Sequence, residues 1–325
     1  MTGVIVMAGG KSKRNAVEVV RDAIAYPFMK IAEFIGGYSF EVPIRGYKPI
    51  RKFKSNINGI MKKRPMITYV IDKLAKTKNI EQIIVVGEEK ILNKCLKENL
   101  PTDSYIKFKD IGRILQQVGD FRANGYKGYA SLSQKVLEAS NGYALFMFAD
   151  AVNCTSRGIE KFIEESKEKD ADIVMGVATE NQLKWYRRYF RRPALELVDD
   201  INFSQEDKDE NGLVGLRSAD RIYANLTRIK NPWLIDEAFK YRRLAKILVH
   251  PRKSRELKNR LGISLTKYFA KKLTISEILA KASEELGVRV SILKVEDAEC
   301  SLDLDAERDI PASEKMNYEL NHRKK

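Results

Sequence analysis

A short, unbroken apolar run ending in a glycine turn loaded with positive charge constrains this chain more than any other feature. Val4 to Met7 are strand formers without a polar interruption, and Ala8-Gly9-Gly10-Lys11-Ser12-Lys13-Arg14 follows at once. Gly9 and Gly10 lack Cβ, so their backbone N–H groups can approach a pyrophosphate closely, and Lys11, Lys13 and Arg14 add counter-charge. The turn therefore predicts a phosphate cradle at the end of a strand. Two common phosphate loops are excluded by position. A P-loop, G-x-x-x-x-G-K-[ST], needs glycine where Ile5 stands, and the dinucleotide fingerprint G-x-G-x-x-G needs glycines where Lys11 and Arg14 stand. An ordinary strand-to-helix turn with solvated basic residues remains the plain alternative.

Further apolar runs at Ile83–Gly87, Tyr105–Phe108, Ala144–Ala149, Ile173–Val177 and Val288–Val295 read as strands. Helical spacing is found between them, at Pro65–Lys76 (Met66, Val70, Ile71, Leu74), Ser131–Ala139 and Arg157–Glu168. Alternating strands and helices predict a mostly parallel sheet with helices on both faces, and Ala144–Ala149 is its expected central strand. Asp199–Asn211 reads as a polar loop. Thr274-Ile275-Ser276-Glu277 forms a capping box for a helix that runs to Leu286, with Gly287 closing it.

The chain has 325 residues, 44% of them hydrophobic, enough for a sizeable core. Its longest apolar runs are far below the ~20 residues of a bilayer span. With no signal-peptide pattern at the start, a cytoplasmic protein is expected. Cys95, Cys154 and Cys300 are odd in number and have no C-x-x-C spacing, and the two histidines are His250 and His322, so disulfide frameworks, zinc sites and histidine catalysis are disfavoured. The net charge of +15 is concentrated. Twelve basic residues stand against Glu256 alone between Lys240 and Lys272, giving that segment +11. Its Leu257, Leu261, Leu265 and Phe269, set among Arg and Lys, have the composition of an interfacial helix, which suggests peripheral membrane contact; a solvated basic face is the plain alternative. Nucleic acid is the less favoured partner, because the excess is a local patch.

Every fixed position of the turn matches G-G-x-[SG]-x-R, and with it the chain resembles the MobA-like NTP transferases, a superfamily that includes sugar-phosphate nucleotidyltransferases and molybdenum-cofactor guanylyltransferase. Lys48-Pro49-Ile50 resembles the family's Lys-Pro segment, and Arg64-Pro65-Met66-Ile67-Thr68-Tyr69-Val70-Ile71-Asp72 resembles the stretch that follows it. Between turn and lysine lie 33 residues, 15–47, a long insertion for the family; Lys30 or Lys63 could stand in for Lys48. The resemblance implies a Rossmann-like three-layer α/β fold, the nucleotide-diphospho-sugar transferase fold, with a mixed, mostly parallel sheet and a helical insertion. Its core would span 1–232, the basic insertion 233–287, the completing strand and helix 288–315, and a basic tail 316–325.

The implied activity is transfer of a nucleotidyl group from an NTP to a phosphorylated acceptor, with Mg²⁺ and release of pyrophosphate. By the same carry-over Ala8, Gly9, Gly10, Lys11, Ser12 and Lys13 bind nucleotide, and Arg14 and Lys48 act at the phosphates. Asp150, after the core strand, and Asp305, in Ser301-Leu302-Asp303-Leu304-Asp305, hold metal, with Asp303 beside them. Ala149 and Ala151-Val152 replace the family's Gly before and x-Pro after that first Asp. Asn124 and Gly125 fall where the family reads the base, and Asn225 falls on a strand that faces the acceptor. The acceptor is expected to be a phosphorylated small molecule or a lipid phosphate. A glycosyltransferase using Asp303-x-Asp305, and a nucleic-acid binder using the basic segment, are the competing readings.

Overall fold

The computed structural model describes residues 1–9, 47–57, 60–119, 121–189, 195–217, 226–231, 233–234, 267, 270–302, 304 and 309–323. The Gly10–Arg14 part of the turn, residues 15–46 of the insertion, Asn225, most of the basic segment, Asp303 and Asp305 lie outside them.

The opening run is strand β1 (Thr2–Ala8), buried along its whole length. It pairs in parallel with β4 (Ile80–Gly87) on one side and β6 (Ala144–Phe148) on the other, and β5 (Gly112–Gln116) extends the parallel block beyond β4. Val4, Val6 and Ala8 enter one apolar cluster, while Ile5 and Met7 enter another on the opposite face. That alternation is the period-2 rule operating in a strand covered on both sides.

Past β6 the sheet turns mixed. β10 (Thr227–Ile229) runs antiparallel to both β6 and β7 (Ile173–Thr179), and β11 (Val290–Lys294) lies parallel to β7. β9 (Leu213–Arg217) and β8 (Leu195–Val198) add an antiparallel edge, so the order is β5-β4-β1-β6-β10-β7-β9-β8 with β11 on β7. A separate hairpin joins β2 (Lys52–Ile57) and β3 (Ile60–Pro65).

Helices cover both faces, completing the three-layer α/β plan. On the first face lie α1 (Met66–Lys76), α2 (Glu89–Asn99), α3 (Thr102–Ile111) and α6 (Ser156–Lys167), contributing Met66, Leu74, Leu92, Phe108 and Ile159 to the core. The second face receives the region of α4 (Phe121–Ala130) and α5 (Gln134–Ala139) through Tyr129, Leu132 and Leu137. A short α7 (Glu180–Leu183) follows β7. α8 (Ile275–Leu286) carries the expected capping box at Thr274 and ends at Gly287 with φ 64°, a left-handed value that glycine adopts without strain. The chain closes with α9 (Asp309–Arg323).

One expected strand is corrected. Tyr105–Phe108 lies inside α3, and the strand of this region is β5, immediately after it. Pro101 starts the helix where its missing N–H costs nothing, and Ser104 and Phe108, four residues apart, are buried on one side. Four apolar or aromatic residues in a row fit a strand and a helix face equally, and tertiary packing decides between them.

Candidate functional site

In the parallel block the chain leaves β1 for β4 and β5 on one side, then crosses back to β6 on the other. The strand order therefore reverses between β1 and β6, and in open α/β sheets the crevice beyond the C-terminal strand ends at such a point is where ligands bind. Ala8 and Gly9 end β1 here. Asp150 arrives two residues after β6 on a turn fastened to the β1 end, with the Ala149 N–H donating to the Met7 carbonyl at 3.2 Å and the Ala151 N–H to the Phe148 carbonyl at 3.1 Å.

Lys48 comes to the same place from a different direction. It opens a single 3₁₀ turn, Lys48–Ile50, in which Pro49 is buried. The Lys48 ammonium forms an ion pair with Asp150 Oδ2, and both side chains keep some access to solvent, 26% and 16% exposed. Tyr47, just before it, fixes the turn on the strand ends. Its hydroxyl donates to the Ala8 carbonyl at 2.6 Å and accepts from the Glu88 N–H at 2.9 Å, bridging β1 and β4. Burial pushes the Tyr47 phenol above its ordinary pKa, so it stays a donor. A Cβ on Gly87 would overlap this hydroxyl, which explains the glycine at the end of β4.

The turn after Asp150 is pinned from three sides. Lys73 Nζ of α1 donates to the Val152 carbonyl, and burial holds this ammonium below the usual lysine pKa. Asn153 Nδ2 donates to the Leu302 carbonyl at 3.1 Å, and Ser313 Oγ of α9 donates to Asn153 Oδ1 at 2.8 Å. Thr155 caps α6 by accepting from the Gly158 N–H at 2.9 Å, so Asp150 is not the cap of that helix.

The sequence-predicted residues thus divide. Ala8, Gly9, Lys48 and Asp150 converge at the β1/β6 crevice. Asn124 and Gly125 are buried in α4, where Asn124 Oδ1 accepts the Val118 N–H at 2.7 Å and shapes the loop after β5. Lys63, the alternative lysine, is exposed on the hairpin strand β3. Gly10, Lys11, Ser12, Lys13, Arg14, Asn225, Asp303 and Asp305 lie outside the described residues, as does Lys30. Leu302 and Leu304, which flank Asp303 in sequence, are buried in the first-face core, and the Leu302 carbonyl is the one Asn153 holds.

Three contributors were not foreseen, the first being the Asn153 amide described above. Tyr47 carried no sequence signal beyond preceding Lys-Pro. Gln117 follows β5, its N–H donating to the Gly87 carbonyl at 2.7 Å, and its side-chain Oε1 would lie 3.7 Å from a Cβ built on Gly9.

A hard, partly accessible carboxylate at the mouth of such a crevice suits Mg²⁺, which takes one or two protein carboxylates and completes its shell with water and substrate oxygens. Among the described residues no group of three or more His, Cys, Asp or Glu forms a self-sufficient metal cage. Asp150 could supply one carboxylate to such an ion. No helix among the described residues is long and apolar enough to cross a membrane.

No family model matches the sequence, and no curated protein matches it. Solved structures do. A hypothetical transferase from Thermus thermophilus superposes with a TM-score of 0.57 at 18% identity, over 95% of this chain and 99% of that one. Looser superpositions are found with CMP:2-keto-3-deoxy-manno-octonic acid synthetase complexed with CTP, 10% identical over 99% and 100% of the two chains at a TM-score of 0.46. Another is 4-diphosphocytidyl-2C-methyl-D-erythritol synthase from Anaerococcus prevotii, 11% identical over 97% and 95% at 0.45. The first shows a shared fold; the other two are too distant to carry an argument.

Proposed function

We propose that the chain is a Mg²⁺-dependent nucleotidyltransferase that moves an NMP group from an NTP to a phosphorylated acceptor. The observation that carries this reading is the convergence of Lys48 and Asp150 beside Gly9 at the crevice between β1 and β6. The shared fold with a protein described as a hypothetical transferase supports it.

Two anions must meet for this reaction, so the site has to supply positive charge. Gly9 and Gly10 offer backbone N–H groups to the triphosphate, and Lys11, Ser12, Lys13 and Arg14 complete the cradle. Lys48 releases Asp150 and turns to the α-phosphate, where it offsets charge that grows as the acceptor approaches. An acceptor phosphate oxygen forms a bond to the α-phosphorus, the bond from that phosphorus to the bridging oxygen breaks, and pyrophosphate leaves with the electron pair. Asp150, joined by Asp305, would hold Mg²⁺, which supplies charge neutralisation and orientation of the phosphates. Asp303 is the neighbouring carboxylate, and Asn225 is assigned to the acceptor. No protein nucleophile is required; positioning and electrostatics supply the rate. The acceptor is a phosphorylated small molecule or a lipid phosphate, the latter reached through the basic segment 240–272 of a cytoplasmic enzyme.

The test is thermal stabilisation by each of the four NTPs with Mg²⁺, followed by pyrophosphate release with sugar and alcohol phosphates, on the wild type and Asp150→Asn. Stabilisation by at least one NTP, with turnover lost in Asp150→Asn, is expected. No stabilisation by any nucleotide, or hydrolysis of a nucleotide-sugar in its place, overturns the proposal.

A further inference from the structure

At the opposite pole of the sheet, where β1 and β6 begin, Arg228 of β10 is 9% exposed and pairs with no carboxylate among the described residues. Its guanidinium lies over the Tyr143 ring, 3.7 Å from the centroid, and Nη2 donates to the Lys169 carbonyl at a long 3.5 Å. Nε is buried without a hydrogen-bond partner among the described residues. A guanidinium carries five N–H donors and a fixed charge, and leaving such a group buried and under-bonded is costly. Stacking on tyrosine satisfies its face and leaves Nε without a partner among the described residues.

Arg228 borders a pocket of about 300 Å³, including its open mouth, that is also lined by Thr2, Ser140, Tyr143, Ser166 and Lys167. Thr2 Oγ1 is a second buried polar atom there with no partner. No Asp or Glu among the described residues lines the pocket. Asp172, just before β7, is occupied by Lys230 at 3.6 Å and by Arg289. The pocket therefore offers a buried cation, a second cation at its rim from Lys167 near the end of α6, an unpaired hydroxyl, and no acid among the described residues.

We propose that this pocket binds a small tetrahedral oxyanion of the phosphate class. Arg228 supplies the charge-assisted hydrogen bonds, Lys167 closes the mouth, and Thr2 adds a neutral hydrogen bond. The site is separated from Asp150 by the length of β6, roughly 16 Å at the rise of a strand. It is distinct from the nucleotide cradle and independent of the function proposed above. β1 and β6 begin at this pocket and end at the Gly9–Asp150 crevice, so an anion here would firm the strands that carry the reactive end.

The full chain is titrated with inorganic phosphate and, separately, with glycerol phosphate, against sodium chloride at matched ionic strength, following the melting temperature. A saturable rise with inorganic phosphate is expected. The affinity should fall at least roughly tenfold in Arg228→Met, which keeps the length and loses the charge. Lys167→Ala, on an exposed position, should weaken it several-fold and serves if Arg228→Met does not fold. Crystals soaked in selenate should show an anomalous peak within hydrogen-bond distance of Arg228. A stronger response to glycerol phosphate than to inorganic phosphate would assign the site to a phosphate ester, within the same chemistry. An unsaturable wild-type response, an undiminished response in both variants, or selenate found away from Arg228 overturns the proposal.

Discussion

The Tyr47 hydroxyl and the Lys48 ammonium sit on adjacent residues and do different work. Tyr47 holds strand ends together through a buried donated and a partly buried accepted hydrogen bond, so Tyr47→Phe strands the Ala8 carbonyl and the Glu88 N–H. The expected loss is about 1–3 kcal/mol in urea denaturation, with a several-fold weaker apparent affinity for NTP because Ala8 leads into the proposed cradle. Lys48 pairs with Asp150 at a partly solvated position, where an ion pair adds little to folding. Lys48→Met should therefore change stability by less than about 1 kcal/mol and lower kcat by roughly 10²–10³-fold, the scale of losing one charge-stabilising group. A variant that lost stability and kept its rate would place Lys48 in the scaffold and outside the chemistry.

At the scale of elements, the edge built from β7, β8, β9, β11 and α8 depends on paired acids. Asp207 is buried, which raises its pKa, yet the Lys294 ammonium and the Ser204 and Thr179 hydroxyls outweigh burial and hold it below the carboxylate range. A depressed folded value stabilises the fold above the unfolded pKa of about 3.9, and that stability is lost as pH falls through the folded value. Asp207→Asn should cost stability at pH 7 and flatten the fall in stability below about pH 4, measured by denaturation at pH 2.5–7. In the same edge, Thr274→Ala should cost about 1 kcal/mol by removing the capping box of α8. That box, the αL glycine Gly287, β1, β4, β6 and β7 were legible in the sequence because each is set by local chemistry or by an unbroken apolar run. β10 was not, since three residues inserted antiparallel between β6 and β7 leave no periodic trace. The β2/β3 hairpin did leave one, in Asn58-Gly59 between its strands, the dipeptide preferred in two-residue hairpin loops. In the crevice, Gly9, Lys48 and Asp150 were readable as motif positions. Tyr47, Gln117 and Asn153 were not, because their roles are contacts between segments far apart in the chain.

The whole molecule is closed by its last segment, and that closure reaches the crevice. α9 returns to the first half of the chain, with Glu314 Oε1 accepting the Lys54 N–H at 2.8 Å and Glu319 pairing with Arg188 at 3.3 Å. Ile310 and Met316 enter the first-face core. Asn153 is the joint: its amide donates to Leu302, accepts from Ser313, and stands three residues after Asp150, so the C-terminal segment and the Asp150 turn are positioned together. Asn153→Asp replaces the N–H that serves the Leu302 carbonyl with a second acceptor and buries a charge, at an expected cost of about 3 kcal/mol or more. Ser313→Ala is milder, about 1–2 kcal/mol, leaving Asn153 Oδ1 to Asn317 Nδ2 at 3.4 Å. If the 302–305 segment brings Asp305 to the same ion as Asp150, Ser313→Ala should raise the Mg²⁺ concentration needed for half-maximal pyrophosphate release several-fold, while the KM for NTP measured at saturating Mg²⁺ stays near wild type. An unchanged Mg²⁺ requirement alongside the predicted loss of stability would make the joint purely structural and would leave Asp150 without a partner from the end of the chain.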